Sequence, residues 1–383
     1  MMRRIYLDYA ATTPVDPEVR KAMMPYLESC YGNPSSIHQA GQEALEGIET
    51  ARRSVADLIH AAPDEIVFTS GGTESNNAVI KSACYTQREK GNHIITTAFE
   101  HNAVLAPCHF MEKNGFHVTF LPVGSDGLVD TEDVRKALTG KTILISIMHA
   151  NNEIGTIQPL QEISRIARER QILFHTDAVQ TAGHIVLDVR DLNLDFLSLS
   201  AHKLYGPKGV GALFIREGVP FEPLLHGGGH EKGRRSSTHN VAGIAALGKA
   251  SEIAKAGLSE ELMHIAKLRN RLWQSLQLSI PGIHLNGSLE HRLPNNLNVS
   301  IEKVDGESLF MNLDMEGIAV STGSACHSAS GDVSHVLNAL GLNPGLARGS
   351  LRITLGKYTT ETDIKTVEEK LPVIVERLRS MAA

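Results

Sequence analysis

A chain of 383 residues, 42% hydrophobic and 21% charged, is long enough for a large core and two domains and has the composition of a globular protein. Its formal net charge of −6, from 37 basic and 43 acidic residues, gives no electrostatic reason to expect nucleic acid or an anionic membrane as a partner. No apolar stretch approaches the ~18 residues of a membrane helix, and the run after Arg3 and Arg4 is too short for a signal peptide, so a cytoplasmic protein is expected.

In chain order, the residues 38–59 carry apolar side chains at Leu45, Ile48, Ala51, Val55, Leu58 and Ile59, a helical period. Strands are predicted at 65–69, 93–97, 117–123, 142–149 and 172–177, with helices after Gly71-Gly72-Thr73 and over 102–113, 131–138 and 160–170. A strand at 196–199, a polar loop and a second strand to Ile215 follow. This alternation predicts an α/β fold with a mostly parallel sheet flanked by helices, and ligands in such sheets collect at the carboxyl ends of the strands. After about Gly248 the alternation fades. A long helix is expected over 262–276, strands over 296–300 and 351–355, and a last helix over 361–381 that Pro372 should kink or interrupt. The expected division is a large domain over 16–255 and a smaller α+β domain made of 1–15 and 256–383.

Several strand ends carry chemistry. In FLSLSAHKLYGPKGVG (196–211), Lys203 follows a buried strand. It is either a surface-loop lysine or an amine whose pKa is lowered by apolar surroundings and which can form a Schiff base. SGGTESNN (70–77) offers glycines and a helix N-terminus to an anion, although a simple helix cap by Thr73 explains it equally. Asp177, in HTDAVQ, is either an ion-pair partner or a carboxylate for a protonated ring nitrogen. His101, in EHNAV, is either a cap or a general acid–base. Arg352, in an apolar strand, calls for a carboxylate in bidentate geometry.

The cysteines, Cys30, Cys84, Cys108 and Cys326, have no C-x-x-C spacing, and none of the histidines forms H-E-x-x-H, so no metal site is expected. The first three cysteines are expected to be buried. Cys326 sits in STGSACHSASGD (321–332), a loop of small and polar residues, where an exposed, reactive thiol is expected. A phosphate cradle, an acid for a ring nitrogen, a Schiff-base lysine, an acid–base histidine and a carboxylate-binding arginine are together the parts of a pyridoxal phosphate enzyme acting on an amino acid.

With YLDYAATTP (6–14), YGNPSS (31–36), FTSGGTESNN, EHNAV, NNEIGTIQP, HTDAVQ, SAHKLYGPKGVG, GGGHEKGRRSSTHN, GSAC and LRITLGKYTTE, the chain resembles the NifS/IscS-type cysteine desulfurases of the fold-type I, class V aminotransferase superfamily over essentially its whole length. The resemblance implies a homodimer that binds pyridoxal 5′-phosphate and converts L-cysteine to L-alanine. Lys203 would carry the cofactor and act as base, Asp177 would pair with the ring nitrogen, Gln180 with the ring hydroxyl, and His101 would stack on the ring. Gly72, Thr73, Ser200 and His202 would hold the phosphate, and Thr238 would reach that of the neighbouring protomer. Asn152 and Arg352 would bind the substrate, assisted by Asn33. Cys326, on a mobile loop over about 321–335, would take the sulfur as a persulfide and pass it to an iron–sulfur scaffold or a thiolation enzyme. Related alternatives are a selenocysteine lyase, a class V aminotransferase, which would need no Cys326, and a silent cofactor-binding scaffold. One departure concerns Ser237, where the family usually has glycine; the substitution strains the backbone if that position needs a positive φ.

Overall fold

The computed structural model describes residues 4–322 and 333–382; Cys326 lies outside the described residues. The chain enters as β1 (Ile5–Tyr6), then α1 (Pro17–Met23), α2 (Pro25–Glu28) and α3 (Gln39–Leu58). Strand and helix then alternate through β2 (Ile66–Thr69), α4 (Gly72–Thr86), β3 (His93–Thr97), α5 (Asn102–Glu112), β4 (His117–Leu121), α6 (Thr131–Ala137), β5 (Thr142–Ser146), α7 (Leu160–Glu169) and β6 (Leu173–Asp177). After β7 (Phe196–Ser200), β8 (Gly211–Ile215) and α8 (Val241–Ser279) come β9 (Ile283–Leu285), β10 (Asn296–Ile301), α9 (Gly306–Met315), β11 (Ile318–Ala319), α10 (His335–Ala339), α11 (Pro344–Arg348), β12 (Ser350–Thr354) and α12 (Glu361–Ala382).

The central sheet has the order β2-β8-β7-β6-β5-β3-β4. All its neighbours run parallel except β8, which is antiparallel to both β2 and β7. The reason is local: only residues 201–210 join β7 to β8, too few for the crossover that a parallel pair requires. That short return carries Lys203. The order reverses between β5 and β3, because β4 lies on one side of β3 and the later β5 on the other. The crevice at such a reversal is where open α/β sheets bind ligands, and here it opens beside His101 and Asn152.

One core packs Ile48, Val55, Ile95, Ile145, Phe174, Leu197, Phe214 and Leu247 around this sheet. A second packs Leu7, Leu268, Leu272, Leu297, Val299, Leu351, Ile353 and Leu371 around the antiparallel sheet β12-β10-β9. α8 serves both: its first turns bury Ala246, Leu247 and Ala250, and its last bury Leu268, Leu272 and Leu276. The helix expected over 262–276 is thus the second half of a continuous 39-residue helix. Its exposed middle lacks an apolar stripe. Gly248, near which the alternation fades in the sequence, is a contact point, where a Cβ would come within 2.4 Å of Ala51 Cα on α3. Pro372 does not end α12, which runs from Glu361 to Ala382. One lost backbone hydrogen bond is offset by the burial of Leu371, Ile374 and Val375 beside it.

The N-terminal arm is tied to the second core. Leu7 N–H donates to Ala319 O and Leu7 O accepts from Thr354 N–H, each at 2.8 Å, so the arm lies between β11 and β12. Among the described residues, no helix is long and apolar enough to cross a membrane.

Candidate active site

A cavity of about 390 Å³ opens at the carboxyl ends of β5, β6 and β7 and is closed on one side by the arm and β12. Ala10, Ala11, Gly72, Thr73, Asn76, His101, Asn152, Asp177, Gln180, Ser200, His202, Lys203 and Arg352 are among the residues that line it. Lys203 is the last residue of a single 3₁₀ turn (Ala201–Lys203) that caps β7, and it is buried. Its ammonium donates to Ala11 O at 2.7 Å and to Ala10 O. These carbonyls belong to the arm, so the arm sets where the amine points.

Asp177 ends β6. Its Oδ2 accepts from Asn76 Nδ2 at 2.6 Å and its Oδ1 from Val179 N–H at 2.9 Å. Asn76 Oδ1 is buried without a hydrogen-bond partner among the described residues. Gln180 Nε2 donates to Ala10 O at 3.0 Å. His101 both lines the cavity and caps α5, its Nδ1 accepting from Ala103 N–H at 3.1 Å. That bond requires an unprotonated Nδ1 and places the proton of the neutral ring on Nε2. Burial lowers the His101 pKa, the Asp177 carboxylate opposes this and Lys203 adds to it, so the ring is held neutral. Just before it, Glu100 is fully buried and accepts from Met148 N–H at 2.9 Å and Thr97 Oγ1 at 2.8 Å. Burial pushes its carboxyl up to about 8, so a neutral acid underlies the site.

The N-terminus of α4 forms one end of the cavity. Gly71, not Thr73, is its N-cap, with φ +148° and no side-chain cap. The first helical N–H groups have no acceptor within the helix and, with the helix dipole, would suit the anionic end of a ligand. A Cβ on Gly72 would lie 2.6 Å from Val179 Cγ2, so only glycine fits. His202 Nδ1 lies 3.2 Å from Thr12 Oγ1, and its pKa is lowered to about 4, chiefly by burial and then by Lys203 and Lys208. A phosphate at this end of the cavity would meet His202 as a neutral hydrogen-bonding ring.

Arg352 lies in the middle of β12. Its Nη2 pairs with Asp8 Oδ1 at 2.8 Å, its Nη1 donates to Asn152 O at 3.1 Å, and its buried Nε has no partner among the described residues. This set of groups can hold pyridoxal phosphate: free helix N–H groups, Ser200 and His202 for a phosphate, Asp177 for a pyridinium N–H, and a buried lysine for an aldehyde.

Two expected site residues are not brought to this cavity within the chain. Asn33 is exposed, and its Oδ1 accepts from Ser35 N–H at 3.0 Å. Thr238 is exposed on the 226–239 segment. Of the remaining cysteines, Cys84 and Cys108 are buried as expected, but Cys30 is only half-buried, because it leaves the short helix α2 at the surface. The sequence reading missed Asp8, Ala10, Ala11 and Asn76. Asp8 and the two alanines lie in YLDYAATTP and Asn76 in SGGTESNN, but no periodicity or spacing marks a residue that acts through strand register or a backbone carbonyl.

The segment that bears Thr238 is clamped from below. Glu231 binds Arg52 through two contacts of 2.8 Å, accepts from Phe68 N–H at 2.9 Å, and lies 2.7 Å from His239 Nε2. Arg235 Nε donates to Glu74 in the first turn of α4 at 2.8 Å. Burial alone would raise the Glu231 pKa, but Arg52 and His239 bring it from 4.5 to about 2. A carboxyl depressed in the folded state contributes stability above its unfolded pKa and loses it as pH falls through the folded value. Glu231→Gln should therefore cost about 3 kcal/mol at pH 7. Urea titrations should show this difference from the parent shrinking between pH 4.5 and about 2.

Ser237 has φ +120°, so the position where glycine was expected does need a positive φ. Ser237→Gly should raise stability by about 1 kcal/mol, read as a higher urea midpoint at unchanged slope.

The sheet order, the strand-end lysine and the anion-binding helix define a fold-type I transferase built to work on an amine. The chain belongs to the aminotransferase class-V family, whose model matches residues 5–367. It is 54% identical over 382 residues to the cysteine desulfurase IscS of Dictyoglomus turgidum, covering 100% of this chain and 97% of that one. Among solved structures, a NifS-like protein superposes with a TM-score of 0.93 at 42% identity, covering 98% of this chain and 100% of that one. SspA, solved in complex with cysteine, superposes with a TM-score of 0.83 at 38% identity, covering 93% of this chain and 100% of that one.

Proposed function

We propose that this chain is a pyridoxal phosphate-dependent cysteine desulfurase that acts as a homodimer and delivers sulfur from Cys326 to an iron–sulfur scaffold or a thiolation enzyme. The observation that carries the reading is the convergence of Lys203, Asp177 and His101, from three strand or helix ends, and of Arg352, from the middle of β12, on one cavity. The cysteine-bound relative supports the choice of L-cysteine as substrate. Pyridoxal phosphate, when bound, supplies an aldehyde that links covalently to amines and a protonated ring that takes up an electron pair.

The chain's own groups do the rest. Asp177, oriented by Asn76 and Val179 N–H, keeps a ring nitrogen protonated. Gln180 donates to a ring oxygen. Lys203 would hold the cofactor's aldehyde in the absence of substrate and, as a free amine, would take the proton from the substrate Cα. The neutral His101 offers an N–H at Nε2 to the substrate's polar atoms. The Cys326 thiolate attacks the substrate sulfur: the C–S bond breaks and an S–S bond forms. L-cysteine and one thiol give L-alanine and one persulfide, balanced in atoms and electrons.

Arg352 binds the substrate carboxylate. A hydrogen-bonded charge contact is worth about 1.5–3 kcal/mol, so Arg352→Ala should raise the dissociation constant of L-cysteine roughly 10–100-fold. The test is release of alanine and sulfide from L-cysteine with a reductant present, as a function of L-cysteine concentration. Equal and robust turnover without L-alanine as a product would overturn the reading, and an unchanged concentration dependence in Arg352→Ala would return that arginine to structure.

A further inference from the structure

The cavity's substrate-binding cation is already engaged by a carboxylate of its own chain. Arg352 is nearly fully buried, with 3% of its surface exposed. Its guanidinium is held at two nitrogens, by Asp8 at 2.8 Å and by Asn152 O at 3.1 Å, while Nε is left without a partner among the described residues. Asp8 is not a chance neighbour. It bridges Thr354, two residues along β12 from Arg352, and Tyr6 Oη donates to Asp8 O at 3.0 Å. The arm that fixes Asp8 also supplies the Ala10 and Ala11 carbonyls that receive the Lys203 ammonium.

We infer that Asp8 is a positioning residue for the amino-acid site: it holds the Arg352 guanidinium in the orientation that offers its remaining N–H groups to the substrate carboxylate. The inference rests on the proposed binding of an amino acid at Arg352. Two effects of Asp8 oppose each other. Its negative charge repels a second carboxylate, which would weaken binding. Its grip removes the rotational freedom of a long side chain, which strengthens it. Asp8 keeps part of its side chain in contact with solvent (18% exposed), so its repulsion is screened. Arg352 is buried and cannot use water to hold its position. Positioning therefore prevails. One stretch of four residues, Asp8 to Ala11, thereby fixes both the amine that the substrate displaces and the cation that the substrate carboxylate meets.

The test compares Asp8→Ala and Asp8→Asn with the parent, all as holoenzymes. Each is titrated with L-alanine and with ethylamine, an amine without a carboxylate, and binding is read from the visible absorbance of the cofactor. Asparagine keeps an acceptor for Arg352 Nη2 and loses the charge. Asp8→Ala should raise the L-alanine dissociation constant at least about tenfold, Asp8→Asn should stay within about threefold of the parent, and ethylamine binding should be equal in all three. Tighter L-alanine binding in both variants would make Asp8 a competitor and overturn the inference. Equal losses in both variants would make charge, not grip, the cause, and also overturn it. A loss that extends to ethylamine would mean general disruption of the arm, again against it. A parent that binds L-alanine no better than ethylamine would overturn the reading of Arg352 itself, and the inference with it. A parent that prefers L-alanine, with both variants unchanged, would overturn only the role of Asp8.

Discussion

Protein carrying Lys203→Ala, reconstituted with pyridoxal phosphate and desalted, is expected to lose the visible absorbance of the parent and to release sulfide from L-cysteine at least about 10⁴-fold more slowly. Lys203 is asked to do two things, to tether the cofactor and to move the Cα proton, and among the described residues no second lysine lines the cavity. Lys208 is exposed and does not line the cavity. His101 and His202 also line the cavity, but the His101 Nδ1 is committed to the α5 cap and burial disfavours the charged form of both rings. Lys203→Arg separates chemistry from packing. A guanidinium can still donate to the Ala10 and Ala11 carbonyls, yet it stays protonated and forms no Schiff base. It should therefore fold like the parent and be colourless. Retained colour in Lys203→Ala after desalting would assign the tether to another amine.

Cys326→Ser should behave in the opposite way: full colour, a normal absorbance response to L-cysteine, and sulfide release reduced at least about 10³-fold. The argument is about thiolate supply. Serine has no accessible anion near neutral pH, and attack on the substrate sulfur needs one. The other cysteines do not substitute. Burial pushes Cys84 up to about 12 and raises Cys108 as well. The Cys84 thiol, raised by burial, therefore supplies almost no thiolate near neutral pH. Cys30, half-buried, sits on the α2 side of the chain and does not line the cavity, so Cys30→Ser serves as the control that should leave turnover unchanged. Sulfide release at the parent rate in Cys326→Ser would remove that residue from the reaction.

Local signals carried much of this architecture. The elements from α3 to β8 follow their apolar periods to within a few residues, since each period reflects a face that must be buried whatever its partner. Elements that depend on distant partners were not legible. β1 and β11 are two residues each and exist only because they pair with one another. The full length of α8 was hidden because its middle rests on no core. Pro372 was read by its local cost, whereas α12 continues because its apolar face is buried on both sides of the proline.

For the site, the sequence by itself determined the chemical inventory: a lysine and an aspartate at strand ends, glycines at a helix start, a histidine before a helix, an arginine in an apolar strand and a cysteine among small residues. Each is marked by a conflict between its side chain and its local setting, and such conflicts can be read one residue at a time. Tertiary structure alone decided how these groups are aimed. Asn76 orients Asp177, the arm carbonyls receive Lys203, and Asp8 grips Arg352 across 344 residues of chain. It also decided that Ser237 lies at a positive φ and that Asn33 and Thr238 are exposed and do not line the cavity of their own chain. The physical reason is that orientation depends on strand register and backbone carbonyls. Every residue has a backbone carbonyl, so nothing in its own identity marks the one that is used.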